Sequence, residues 1–111
     1  MIVSSILGMA WGTAALLALQ PDPTKAPRDA YTSCLRAFME KSVKDKMTLE
    51  AFTAAFPQQC VDQESAYRSA VRSFQARLKV PAAEIDEIIK EEVDTARDNV
   101  KQRFEMHMPP A

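Results

Sequence analysis

Beyond Gly12, a chain of 111 residues has no glycine at all. Turns that depend on glycine are therefore scarce. Neither a phosphate-cradling loop nor a glycine-rich nucleotide fingerprint can be assembled. No segment alternates apolar and polar residues across several β-branched positions, so strand signals are weak. Helical periodicity dominates instead, with Pro57, Pro81 and the Pro109-Pro110 pair as punctuation. The expected fold is all-α.

Four helices follow from the spacing. The first should run from Arg28 to Lys46, with Tyr31, Cys34, Leu35, Phe38, Met39 and Val43 as its apolar stripe. Thr48 suits the N-cap of a short second helix, Leu49 to Phe56, with Leu49, Phe52 and Phe56 on one face. A third, Cys60 to Lys79, should bury Tyr67, Ala70, Val71, Phe74 and Leu78. After Pro81, the fourth extends from Ala82 to Met106 with Ile85, Ile88, Ile89, Val93, Ala96, Val100 and Phe104 as one stripe. Its acids lie early and its bases late, as the helix dipole prefers. The helical domain is thus expected over 28–108, a compact bundle of three main helices plus one short one. A proline-rich linker over 21–27 precedes it, and a disordered tail over 109–111 follows.

From Met1 to Gln20 there is no charged side chain. About 18 apolar residues can span a bilayer, whereas the core of a secretory signal needs only ~7–15. The small residues before Gln20-Pro21 resemble the end of a cleaved signal. Against that, Leu16 stands where a small residue belongs and no basic residue precedes the run. Lys25 and Arg28, just after it, favour the opposite orientation. Export to the periplasm or the extracellular space is the expectation, and a retained membrane anchor is the alternative. In an anchor, Gly8 and Gly12 would share one helix face and let two helices approach closely. Trp11, in the middle of the run, is misplaced for an interfacial anchor.

The two cysteines read as a staple. From Cys34 the first helix climbs roughly 18 Å at ~1.5 Å per residue, and the second returns about 12 Å. The Cα atoms of Cys34 and Cys60 can then come within the ~7 Å that a disulfide requires. An even cysteine count behind an export-type segment supports that bridge. Without a C-x-x-C pair, redox catalysis is not indicated.

A formal net charge of −1 removes nucleic acid as a default partner. One histidine excludes a zinc site of two histidines and two cysteines. Charge is unevenly spread: residues 21–79 carry a net +3 and residues 80–111 a net −4. Acidic turns of the fourth helix are therefore expected beside the basic faces of the first and third. Carboxylate pairs there, such as Glu87 with Glu91, read as a solvated face and not as acid/base machinery.

Three candidate features remain. Arg68, Arg72 and Lys79 form a basic stripe on the third helix. The long fourth stripe reads in the main as ordinary core; a part of it left bare, represented by Ile88, Val93 and Val100, would serve a partner helix or a second copy. Met106, His107 and Met108 offer thioether and imidazole donors suited to Cu(I), with Met39 and Met47 as more distant additions. No cofactor and no enzymatic activity are expected. The reading is a small exported protein that binds a protein partner or itself, with a membrane-tethered subunit or a copper binder as alternatives.

Overall fold

A computed structural model describes residues 22–108. The signal or anchor segment, the Gly8/Gly12 pair, Pro21 and the 109–111 tail lie outside the described residues. Among the described residues the fold is all-α: α1 (Lys25–Lys44), α2 (Leu49–Ala55), a 3-10 turn (Phe56–Gln58), α3 (Val61–Arg77) and α4 (Ala82–Met106). Helices α1, α3 and α4 pack pairwise into a three-helix bundle, and α2 lies against α4. No described helix is long and apolar enough to cross a membrane.

Helix α1 starts three residues earlier than expected, so the linker is shorter. The reason is Pro27, which sits in the first turn, where a missing N–H leaves no bond unmade. Just before it, Asp22 Oδ1 accepts from the Thr24 amide (2.9 Å) and hydroxyl (2.7 Å). Those bonds hold the Asp22 carboxyl below its ordinary range. Thr48 caps α2 as expected, its hydroxyl accepting from the Ala51 amide at 3.1 Å. Pro57 falls inside the 3-10 turn that follows.

The missing glycines are replaced by lysines. Lys46 and Lys79 take φ of 57° and 62° at the ends of α1 and α3. After α1, Lys46 N–H donates to Val43 and Met47 N–H to Ser42; after α3, Lys79 N–H donates to Ala76 and Val80 N–H to Gln75. Both ends are Schellman closures, which usually place glycine at this left-handed position. A non-glycine residue there costs about 1–2 kcal/mol. Lys46→Gly or Lys79→Gly is therefore expected to raise stability slightly, by up to about 1 kcal/mol, read as a higher urea midpoint.

The core holds Tyr31, Leu35 and Met39 of α1, Phe52 and Phe56, and Tyr67 and Val71 of α3. From α4 it takes Ile85, Ile89, Val93, Ala96, Val100 and Phe104. Phe104 stacks on Phe52 at 4.0 Å between centroids, and Phe52 stacks on Phe56 at 4.8 Å. Two expected core positions are corrected. Leu78 is 59% exposed because α3 ends before it, and Leu49, in the first turn of α2, is 40% exposed. Ser42 is buried in their stead, its hydroxyl donating to the Phe38 carbonyl at 2.8 Å. The Cys34–Cys60 disulfide is present, with a Cα–Cα distance of 6.0 Å.

Candidate functional site

Burial decides the second of the three candidates, the apolar stripe of α4. Val93 and Val100 are only 3% exposed, and Ile88 is half-buried against the same core. α1, α3 and α2 together cover the stripe of α4, because the 3-10 turn brings Phe56 alongside Phe52. The stripe is therefore core, as its spacing favours, and the alternative of a bare part for a partner falls. Val93 and Val100 cannot touch a partner without unfolding the bundle.

The basic stripe on α3 is at the surface. Arg68 donates to Glu64 one turn earlier at 2.9 Å, and Arg72 to Asp86 of α4 at 2.8 Å. Half-exposed pairs of this kind are worth only ~0–1 kcal/mol, so either arginine can exchange its carboxylate for a partner's. Lys79 and the exposed Leu78 stand in the α3–α4 turn beyond them. The Arg72–Asp86 pair fits the expected meeting of acidic α4 with basic α3.

The best-connected ion pair runs the other way. Arg97 of α4 donates to Glu64 of α3, and to the carbonyls of Phe56 (3.0 Å) and Gln59 (3.4 Å). Its guanidinium lies 5.4 Å from the Phe56 ring centre and 5.7 Å from that of Tyr31. Tyr31 in turn donates to Glu64 Oε1 at 3.1 Å. Burial alone would raise the Glu64 carboxyl, but the hydrogen bonds of Arg97 and Arg68 outweigh it and hold the group below the usual range. In the sequence, Arg97 is one of the late bases that suit the dipole of the fourth helix. Its place four residues after Val93 and three before Val100, on the edge of the stripe, is the signal that it reaches inward.

Every partner of Arg97 here is a group of the same fold, so the node is a clamp on the 56–59 segment. Removing the guanidinium leaves Glu64 with only Arg68 and Tyr31 as donors and strands the carbonyls of Phe56 and Gln59 in a partly buried site. Arg97→Ala is expected to cost about 2–3 kcal/mol, and Arg97→Lys most of that, because a point charge cannot serve carboxylate and carbonyls together. Chemical denaturation followed by circular dichroism measures both.

The two buried tyrosines make a second electrostatic device. Burial pushes the Tyr67 phenol up to about 12, helped by the Glu92 carboxylate that accepts from its hydroxyl at 2.7 Å. Burial likewise lifts Tyr31 above the ordinary phenol range, against the pull of Arg97. Folded phenols thus keep protons that unfolded ones lose above ~10. The contribution is complete below pH ~10 and is lost as pH climbs toward about 12. The urea midpoint should fall between pH 9 and pH 11, and less steeply in Tyr67→Phe.

The third candidate lies at the C-terminal end of α4. An open, mostly apolar cavity of about 420 Å³ is lined by Val43, Lys46, Met47, Thr48, Leu49, His107 and Met108. It forms where the α1–α2 turn meets the last residues of α4. Of the expected Met106-His107-Met108 triplet, only His107 and Met108 reach it. Met106 is 82% exposed and lines a separate surface hollow beside Arg103. Met47 joins them, and Met39 does not, being core. Among the described residues no group of three or more His, Cys, Asp or Glu side chains is arranged to hold a metal ion. Compared with known protein families, curated proteins and solved structures, the chain matches none.

Proposed function

We propose that the protein is an exported, non-enzymatic helical module that acts by binding the acidic surface of a partner protein. The observation that carries this reading is the Cys34–Cys60 disulfide. Such bridges form and persist in oxidising compartments, and small exported domains use them to supplement a limited core. That agrees with a charge-free run at the N-terminus.

Arg68, Arg72 and Lys79 then supply the binding face. Their charge is only loosely committed within the fold, and the exposed Leu78 adds an apolar side chain at the α3–α4 end of the patch. An acidic partner completes both. The test is crosslinking in the native host with the wild type and with Arg68→Glu/Arg72→Glu/Lys79→Glu. One protein crosslinked to the wild type, lost in the triple variant and weakened by salt, supports the reading. A crosslinked protein equally captured by both chains overturns the surface assignment, and a cytoplasmic crosslinked protein overturns export.

A further inference from the structure

We propose that the cavity at the C-terminal end of α4 is a Cu(I) site built from Met47, Met108 and His107. Three observations converge on it. Residues about sixty positions apart in sequence line one cavity, and between them they bring two thioethers and one imidazole. Soft thioether donors select Cu(I), and imidazole completes a set of a kind that Zn(II) and Mg(II) do not favour.

The second observation is the tautomer of His107. Its Nδ1 lies 2.8 Å from the Arg103 carbonyl. A carbonyl only accepts, so this contact calls for the proton on Nδ1, the tautomer whose neutral ring offers the Nε2 lone pair to a metal. Metal-bound histidines are commonly held by this bond, which fixes the ring and raises the basicity of the other nitrogen.

The third is how the backbone presents the donors. α4 ends at Met106, and His107 and Met108, in the turn that follows, both line the cavity. Across from them Met47 is the residue that closes the Schellman end of α1, its N–H bonded to the Ser42 carbonyl at 2.9 Å. Both backbones are thereby pinned, while the unbranched thioether side chains can still adjust to an ion. Lys46 also lines the cavity, and its positive charge opposes a divalent ion more than a monovalent one. The site is independent of the basic face of α3 and does not require that reading to hold.

The experiment is an anaerobic titration of the full, disulfide-bonded chain with Cu(I) against the chromogenic chelator bicinchoninate. The wild type should withdraw one Cu(I) per chain. Losing a ligand should cost at least the ~10–100-fold that losing a supporting hydrogen bond costs, in each of Met47→Leu, Met108→Leu and His107→Gln. Met39→Leu and Met106→Leu should bind as the wild type does. Failure of the wild type to take copper overturns the site. So does a Met47→Leu variant with unchanged affinity, which would leave only the C-terminal triplet. X-ray absorption of the copper-loaded wild type checks the assignment without any variant: sulfur and nitrogen neighbours support it, and a shell of light atoms alone contradicts it.

Discussion

Replacing Phe104 with alanine is expected to destabilise the domain by about 3–5 kcal/mol, against a total stability of about 5–15 for a fold of this kind. The side chain is fully buried and its ring stacks on Phe52 at 4.0 Å. Phe52 in turn stacks on Phe56, so one truncation opens a cavity under α2 and the 3-10 turn together. The position makes the result informative. Phe104 is two residues from the end of α4, where a helix held only by its own hydrogen bonds would fray. A loss this large at the very end shows that packing, not propensity, fixes α4 there. The neighbouring and exposed Glu105→Ala should stay within about 0.5 kcal/mol. Equilibrium urea unfolding of the two variants makes the comparison. Similar midpoints for Phe104→Ala and the wild type would mean that the aromatic stack is not the anchor described above.

Opening the disulfide should cost nearly as much. The bridge joins residues 26 apart, and the chain-entropy model gives about 3–4 kcal/mol for a loop of that size. At about 4–8 °C per kcal/mol for a small domain, that is a drop of roughly 12–32 °C in Tm. Cys60 holds φ of 62° at the start of α3, a backbone state that costs a non-glycine residue about 1–2 kcal/mol, so any relaxation there on opening would offset part of the loss. Calorimetry of the oxidised chain, the reduced chain and Cys34→Ala/Cys60→Ala should show the same lowered Tm for the last two. A variant as stable as the oxidised protein would remove the staple from the account of stability.

How far the fold was legible in the sequence varies with the kind of interaction. The α4 stripe is legible because seven apolar residues at helical spacing leave one possible buried face. Thr48 and the Cys34–Cys60 pair were equally legible, since a cap is local and a bridge needs only distance along two helices. Leu78 misled because the spacing continues the α3 stripe through it, while the helix stops at Arg77. What stops it is Lys79 in a left-handed state, for which lysine carries no sequence signal. The early start of α1 was hidden by counting Pro27 as linker, although its first-turn position suits it.

The candidate site was less legible than the fold. That α4 would be fully covered depends on where the 56–58 segment folds, which no periodicity describes. The clamp role of Arg97 depends on the same segment, because two of its acceptors are backbone carbonyls there. That Met47, His107 and Met108, about sixty residues apart, line one cavity appears only once α1 and α4 end side by side. In each case the missing information is tertiary, a juxtaposition of elements and not a pattern within one.

The central claim is an exported, stapled helical module, and intact mass of the protein isolated untagged from its native host tests it most directly. Measured with and without reductant, the account predicts a chain shortened by its first ~18–20 residues, the length of a signal segment. On reduction that chain should gain the mass of two hydrogens. A full-length chain whose thiols are already free before reductant is added would contradict export and the staple together.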